Sequence, residues 1–333
     1  MKPSLLLTTV PGLEELLYEE TREKLGYSPG GVFRRLSGRV EIFVKSIEDV
    51  NVVRSLLLAE NARLIVEVGE SVEEVVEGAR EFIEALLEGA AAFAVNSERI
   101  TKELGLTSPE IAARTGEKIV EITGKHVSLD FPDIVFYVEW VSGQYRFGLD
   151  LTGFRGLRDR PYRMYVHRSA LNPVIAAAMC RLARGRGSIY DPFCGSGTII
   201  AECLQQGVGE LFCSDVDVGA IRGAKLNLSM LHASANVHLF ASDAIHGVLG
   251  RGVDAVVTNP PFGIREKPVG GLGNVYGALL EMASALEAGV VIVLTSRRRL
   301  LLKMAEKHSY YPKYSIVLNE GGVKSWITLL EPA

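Results

Sequence analysis

The stretch at residues 188–202 constrains the fold of this chain more than any other. It begins with a short run typical of a buried strand, which Asp191 ends. Cys194-Gly-Ser-Gly197 then predicts a tight turn, and the apolar residues after Thr198 predict a helix. Two glycines in the turn let a ligand approach the backbone closely. This order predicts the first βα turn of a doubly wound α/β domain, where nucleotide-like ligands bind.

The turn at 194–197 lacks the fingerprint of a dinucleotide-binding fold. That fingerprint requires a third glycine at position 200, where this chain has Ile200. A fixed carboxylate at Asp191 would also repel a pyrophosphate. The same carboxylate suits a ligand that carries positive charge.

A second motif follows the first: an apolar strand at 253–258 runs into Asn259-Pro-Pro-Phe262. Alone, this motif is also compatible with a proline turn after a buried strand. Together, the two motifs resemble the Rossmann-fold S-adenosylmethionine methyltransferases that modify exocyclic or amide nitrogens. The resemblance implies S-adenosyl-L-methionine as cofactor. It also implies an α/β domain at 167–333, with a mostly parallel seven-stranded sheet and a closing hairpin.

The resemblance places the methionine and ribose of the cofactor at the ends of successive strands. Gly195 and Gly197 would approach both parts, and Asp191 would face the charged methionyl end. Asp215 would accept hydrogen bonds from ribose hydroxyls, although Asp217 competes for that role from a position more typical of a helix cap. The predicted cofactor-binding residues are Asn172, Pro173, Asp191, Phe193, Gly195, Gly197, Thr198, Asp215, Val216, Asp243, Ala244 and Asn259.

The adenine of the cofactor is assigned to the residues that follow the second and third strands. Val216 would pack on the ring, and Asp243 would bind its amino group. A helix cap explains either Asp215 or Asp243 alone. Their joint placement at successive strand ends favours the cofactor.

The second motif predicts the catalytic residues Asn259, Pro260 and Phe262. An exocyclic amine is a poor nucleophile because its lone pair is delocalised into the ring. The side-chain oxygen of Asn259 and the carbonyl of Pro260 can accept its two N–H groups, and Phe262 can stack on the base. No general base is required before transfer, because the proton can leave afterwards. Transfer from a sulfonium also needs no metal, so enzyme catalysis here consists of alignment and electrostatics.

The chain before residue 153 predicts two α+β domains. Residues 1–66 alternate strand and helix signals in a β-α-β-β-α-β order typical of a ferredoxin-like domain. Residues 67–152 resemble a THUMP domain, an RNA-binding module of RNA-modifying enzymes. The resemblance is carried by Phe-Ala-Val-Asn-Ser-Glu-Arg at 93–99, Leu-Asp-Phe-Pro-Asp at 129–133 and Phe-Gly-Leu-Asp-Leu-Thr-Gly at 147–153. Residues 153–166 form an Arg-rich linker to the α/β domain.

Charge is distributed unevenly along the chain. The formal net charge is −4, yet residues 151–333 carry 20 basic and 14 acidic side chains. RNA binding depends on local patches, so the negative total does not exclude it. We expect the N-terminal half and the linker to hold RNA, although arginines of the linker are equally suited to bonds within the protein. The predicted RNA-binding residues are Arg99, Lys102, Arg114, Lys118, Arg155, Arg158, Arg163 and Arg265.

Both resemblances together imply a tRNA (guanine-N2-)-methyltransferase acting on the acceptor stem. Another tRNA site or ribosomal RNA are alternatives, as are a protein glutamine methyltransferase, which shares Asn-Pro-Pro, and a noncatalytic RNA-binding scaffold. We expect a cytoplasmic monomer with a tRNA partner, no metal and no membrane contact. The four cysteines, Cys180, Cys194, Cys203 and Cys213, have no zinc spacing and are interpreted as reduced core residues.

Overall fold

The computed structural model describes residues 3–103, 105–152, 156–167, 170–231, 236–244, 249–261 and 271–333. The chain divides into two compact units, one built from the chain up to Leu157 and one from Arg158 onward. Two short N-terminal segments, Val10–Leu16 and Arg35–Gly38, belong to the C-terminal unit. No helix among the described residues is long and apolar enough to cross a membrane.

The N-terminal half contains the first eight strands, which form one continuous sheet. Its elements are β1 (Ser4–Thr8), α1 (Glu14–Leu25), β2 (Gly30–Phe33), β3 (Arg39–Phe43), a 3-10 helix (Ile47–Ser55), β4 (Asn61–Gly69), α2 (Val72–Gly78), α3 (Arg80–Leu87), β5 (Ala92–Arg99), α4 (Ser108–Thr123), β6 (His126–Val127), β7 (Ile134–Val141) and β8 (Gln144–Asp150). The strand order is β2-β3-β1-β4-β8-β7-β5-β6. The predicted β-α-β-β-α-β order is present, with a 3-10 helix as its second helix. Because β4 pairs with β8, the sheet runs without a break through the predicted boundary at residue 66.

Local sequence signals set the ends of α4 and the turn between β7 and β8. Thr107 and Glu110 form a capping box, in which the Thr107 backbone N–H donates to Glu110 Oε2 at 2.7 Å. Gly124 ends the helix with φ +67°. Ser142 and Gly143 join β7 to β8 with φ +49° and +86°, as a tight two-residue hairpin requires.

A buried ionic cluster lies across three strands of this sheet. Glu139 on β7 is fully buried and accepts hydrogen bonds from Tyr137 (2.9 Å) and Arg146 (3.1 Å). Arg39 on β3 donates to the same carboxylate. A buried carboxylate is tolerated only when it is paired in this way. The cluster therefore couples strands that the sequence analysis assigned to different domains.

The C-terminal unit contains the expected mostly parallel seven-stranded sheet. Its elements are α5 (Pro173–Leu182), β9 (Ser188–Asp191), α6 (Thr198–Gln205), β10 (Glu210–Asp215), α7 (Val218–Ser229), β11 (Val237–Ala241), β12 (Ala255–Thr258), α8 (Leu272–Ala285), β13 (Val290–Thr295), α9 (Arg298–Lys307), β14 (Tyr310–Glu320) and β15 (Val323–Pro332). The strand order is β11-β10-β9-β12-β13-β15-β14. Strands β9 to β13 run parallel, whereas β15 is antiparallel to both β13 and β14. The predicted fold class and closing hairpin are confirmed.

The interpretation of the cysteines as reduced core residues is wrong in this structure. Cys180 on α5 is bonded to Cys203 on α6, and Cys194 in the turn after β9 is bonded to Cys213 on β10. The Cα–Cα separations are 5.1 and 5.4 Å, within the range that a disulfide spans. Sequence spacing did not reveal the pairs, because packing between elements brings the sulfur atoms together.

Candidate active site

The polar residues of the two sequence motifs lie at one edge of the C-terminal sheet. Strands β10, β9 and β12 are adjacent and parallel, so their carboxyl ends meet at this edge. The edge carries Asp215 at the end of β10, Asp191 at the end of β9 and Asn259 directly after β12. We call it the carboxyl edge. Ligands of open α/β sheets bind outside such an edge.

The two glycines of the turn after β9 serve different purposes. Both have a left-handed backbone, with φ +54° at Gly195 and +78° at Gly197. A Cβ at Gly197 would lie 3.1 Å from the Ala224 Cβ on α7, so this glycine allows close packing of the turn on a helix. Among the residues that the structure describes, a Cβ at Gly195 would meet nothing within 4 Å. Gly195 therefore leaves open space at the carboxyl edge.

Asp215 holds this turn in position. Its Oδ2 accepts a hydrogen bond from the Gly195 backbone N–H at 2.8 Å, and its Oδ1 accepts one from the Asp217 N–H at 2.9 Å. Asp217 itself caps α7 by accepting from the Gly219 N–H at 2.7 Å, as the sequence predicted. Between the two acids, Val216 is 75% exposed. An apolar side chain is thus presented beside the carboxylate that orients the turn.

Asp191 is almost fully buried at 1% exposure. The pKa of its carboxyl is raised to about 7, mainly by burial and to a lesser extent by the charge of Asp215. Hydrogen bonds from the Thr258 hydroxyl (2.6 Å) and the Phe193 backbone N–H (3.1 Å) act in the opposite direction on this pKa. Two carboxylates whose charges repel at neighbouring strand ends favour a cation in the space beside them.

Asn259 presents an acceptor without a partner. Its Oδ1 is buried and accepts no hydrogen bond from the part of the chain that the structure describes. Buried polar atoms in proteins are nearly always hydrogen-bonded, so such an atom calls for an explanation. The following Pro260 is buried and limits the freedom of the backbone at this point. Phe262, the third predicted catalytic residue, lies outside the described residues.

The remaining predicted cofactor residues have varied surroundings. The Asn172 Oδ1 caps α5 by accepting from the Val174 N–H at 3.0 Å, and Pro173 is the buried first residue of that helix. Thr198 is buried at the start of α6. Asp243 and Ala244 follow β11, the first exposed and the second buried. Asn172 and Pro173 thus both stabilise the start of α5.

The predicted RNA-binding residues of the N-terminal unit are only partly available to a ligand. Arg99 donates to the Leu106 carbonyl at 3.0 Å, and Lys118 forms an ion pair with Glu121 at 2.6 Å. Lys102 and Arg114 are exposed.

The linker arginines divide between the two roles that the sequence left open. Arg160 is buried and forms a bidentate ion pair with Glu202 on α6, with N–O distances of 2.9 and 3.3 Å. The Tyr162 hydroxyl donates to the same carboxylate at 2.7 Å. Arg158 is exposed and Arg163 is half-buried. Of the other predicted arginines, Arg155 and Arg265 lie outside the described residues.

A run of three arginines at 297–299 was not among the predicted site residues. It lies where β13 passes into α9, at the same carboxyl edge as Asn259. The run itself was the available signal, but its aromatic partner, Trp326, is distant in sequence and only the fold brings the two together.

Comparison with known proteins identifies relatives along the whole chain. Residues 160–324 match the family described as RMKL-like, methyltransferase domain, and residues 69–149 match the THUMP domain. The tRNA (guanine(6)-N2)-methyltransferase of Thermus thermophilus is 32% identical over 97% of this chain and 98% of its own length. The enzyme of the same name from Archaeoglobus fulgidus is 27% identical over 68% of each. The crystal structure of TrmN from Thermus thermophilus is similar with a TM-score of 0.82 and 30% identity, covering 99% of this chain and all of that one.

Proposed function

This chain belongs to the family of THUMP-containing, RMKL-like methyltransferases that includes the Thermus thermophilus tRNA (guanine(6)-N2)-methyltransferase, and we propose that it methylates the exocyclic N2 of a guanosine in tRNA. The methyl donor in this proposal is S-adenosyl-L-methionine. The observation that carries the proposal is the buried Oδ1 of Asn259 at the carboxyl edge, which has no hydrogen-bond partner among the described residues.

The residues at the carboxyl edge fit this cofactor. Asp191 and Asp215 supply negative charge to a ligand with a cationic sulfur and an ammonium group. Gly195 leaves open space beside them, and exposed Val216 offers an apolar surface for adenine. Asp243 follows β11, next along the same edge. We assign the methionyl end to Asp191, the ribose to Asp215 and the adenine to Val216 and Asp243.

Asn259 makes the amine reactive in this proposal. When bound, S-adenosyl-L-methionine supplies a methyl group on a cationic sulfur that leaves as a neutral thioether. Asn259 Oδ1 accepts one N–H of the guanine amine, and the Pro260 carbonyl accepts the other. These bonds favour a pyramidal nitrogen whose lone pair points away from the ring. The acceptors are held in place before the substrate arrives, which is how a preorganised site lowers a barrier.

The substrate class follows from the N-terminal unit and from the relatives. An Asn-Pro-Pro motif also suits the amide of a protein glutamine, but a THUMP domain at 69–149 favours RNA. Relatives named for guanine 6 of tRNA favour an address near the 5′ end, which pairs into the acceptor stem. A base within a helical stem must be flipped out to reach Asn259. The proposal includes a cytoplasmic, monomeric enzyme.

The test separates catalysis from cofactor binding by replacing Asn259→Ala. We expect turnover on unmodified tRNA transcripts to fall about 100-fold or more, as for removal of one preorganised group. Affinity for S-adenosylhomocysteine, measured by calorimetry, should stay within about twofold, because Asp191, Asp215, Val216 and Asp243, to which this proposal assigns the cofactor, all remain. Asn236→Ala, which changes an exposed asparagine before β11, is the matched control and should leave both quantities unchanged. Full turnover of the Asn259→Ala protein would refute the assignment.

A further inference from the structure

A basic cleft of about 620 Å³ opens beside the end of β13 in the C-terminal unit. It is lined by Ser296, Arg297, Arg298, Arg299, Leu300, Lys324 and Trp326, and we call it the arginine cleft. The first five residues lead from β13 into α9, and the last two lie on β15. Thr295 at the end of β13 pairs directly with Trp326, which fixes the aromatic ring beside the three arginines.

The arginine cleft lies close to the proposed site of methyl transfer. Strand β13 is the neighbour of β12. Because Thr258 pairs with Val293, Asn259 lies level with the last two residues of β13. Adjacent strands are about 4.8 Å apart, so two spacings separate Asn259 from Trp326, on the order of 10 Å. A nucleotide next to a flipped base lies within this reach.

Within the described residues, the charges of the arginine cleft have no carboxylate partner. Among the residues that the structure describes, no carboxylate lies within 4 Å of Arg297, Arg298, Arg299 or Lys324. Arg298 donates to the Ser315 hydroxyl at 3.4 Å, which steadies its side chain against β14. Arg297 and Arg299 are exposed. Four cations with no counter-ion among the described residues attract an anionic ligand.

The position of these arginines opposes the stability of α9. The amino end of a helix carries partial positive charge and favours acidic side chains. Here the first turn of α9 has no acidic residue and begins with two arginines, preceded by a third. Such a departure from local preference is expected at functional or strained sites. An anion at this end would bind the free N–H groups of the helix and the arginines together.

Two further side chains suit a nucleotide rather than a simple ion. Ser296 lines the cleft, and its Oγ is buried with no hydrogen-bond partner among the described residues, so a donor is available for a phosphate oxygen. Trp326 is half-buried with Lys324 Nζ 5.4 Å from the centre of its ring. An aromatic face bordered by cations is the usual platform for an unpaired base.

We propose that the arginine cleft binds the tRNA strand adjacent to the target guanosine. Arg297, Arg299 and Ser296 hold its phosphates, and Trp326 stacks on a flanking base. The inference rests on the proposed function for the identity of the RNA. It adds a second RNA contact surface to the one expected from the N-terminal unit. Residues 61–150 of that unit carry 8 basic and 17 acidic side chains and therefore offer few contacts to phosphate.

The first test measures the affinity of the full chain for an unmodified tRNA transcript over a series of salt concentrations. The double variant Arg297→Ala/Arg299→Ala should bind about tenfold or more weakly. The slope of log affinity against log salt should fall by about 1.5, because two phosphate contacts are lost. The matched control is Lys303→Ala/Lys307→Ala, which removes two exposed cations from the same helix and should change the slope little. Affinity for S-adenosylhomocysteine should be unchanged in both variants.

The second test addresses stacking. Trp326→Ala should weaken tRNA binding about tenfold, whereas Trp326→Phe should retain most of the affinity, because a smaller ring still stacks. Equal losses in both variants, with a lowered melting temperature, would mean that Trp326 serves only packing and would contradict the stacking contact.

The outcomes separate this inference from the proposed function. If the wild-type enzyme forms N2-methylguanosine in tRNA and the double arginine variant binds tRNA with wild-type affinity and slope, the cleft assignment is wrong and the function stands. If affinity falls as expected but the product is N6-methyladenosine, the cleft binds RNA and the proposed function is wrong. Loss of S-adenosylhomocysteine affinity in the arginine variant would assign the cleft to the cofactor instead.

Discussion

Binding of the cofactor should depend on pH through Asp191. The pKa of this carboxyl in the free protein is about 7, because burial disfavours its charge. A cationic ligand requires the carboxylate and lowers this pKa on binding, so binding releases a proton and affinity rises with pH. With a pKa of about 7, roughly one-tenth of the free protein is ionised at pH 6 and roughly nine-tenths at pH 8. We therefore expect affinity to rise about tenfold between these two values.

Calorimetry with S-adenosylhomocysteine at pH 6, 7 and 8 measures this dependence. Repeating each titration in two buffers of different ionisation enthalpy counts the protons released. In Asp191→Asn the contribution of this group should disappear, and affinity at pH 8 should fall about tenfold or more, since a hydrogen bond to a charged group is worth about 1.5–3 kcal/mol. The matched control is Asp254→Asn. Asp254 bonds the Gly187 and Ser188 N–H groups at the opposite end of β9 and should not alter the pH dependence.

The same carboxyl has the opposite effect on stability. In the unfolded chain its pKa returns to about 3.9, so the native protein binds a proton that the unfolded chain lacks between about pH 4 and 7. The stability from this group is present below that window and is lost as the pH rises through it. Asp191→Asn should therefore stabilise the free protein at pH 8 while weakening cofactor binding. Normal binding of S-adenosylhomocysteine by Asp191→Asn at pH 8, or the same pH dependence of affinity in Asp191→Asn and in the wild-type protein, would refute the reasoning.

Three further predictions concern the groups that hold the fold. Glu139→Gln should lower the free energy of unfolding by about 3–5 kcal/mol in denaturant titrations, because Arg39 and Arg146 lose a buried counter-ion, and only a negligible loss would contradict the role of the cluster. Glu202→Gln should lower the free energy of unfolding by a similar amount, because the buried Arg160 loses its counter-ion. Glu77→Gln, which removes an exposed ion pair with Arg80, is the control, and an equally large loss in that variant would contradict the role of burial. Reducing the two disulfides, which close loops with sequence separations of 23 and 19, should cost about 3 kcal/mol each, and an unchanged melting temperature in reductant would contradict this.

Features set by neighbouring residues were predictable from the sequence. The predicted turn at 194–197 depends on residues within a few positions of one another, and the structure agrees with it. The capping box of Thr107 and the hairpin at Ser142 are set by residues equally close in sequence. Asp217 as a helix cap follows the same logic. The fold class was predictable because two motifs together indicate one strand order.

Features that depend on packing between elements were not predictable. No spacing indicates that Cys180 meets Cys203. A ligand role was predicted for Gly197, but its close approach to Ala224 on α7, where a Cβ would lie 3.1 Å away, was not. Trp326 gained a candidate role only when β15 was seen to pair with β13. Sequence patterns locate chemistry along the chain, but the partners of each group come from the tertiary fold.

Mass spectrometry of nucleosides tests the central claim most directly. An unmodified tRNA transcript is incubated with the enzyme and S-adenosyl-L-methionine, digested to nucleosides and compared with a reaction that contains Asn259→Ala. The account predicts N2-methylguanosine in the first reaction and almost none in the second, and mapping of the intact strand should place it in the acceptor stem. N2,N2-dimethylguanosine at another position would keep the chemistry and change the address. N6-methyladenosine, or methyl label in protein but not in RNA, would contradict the account.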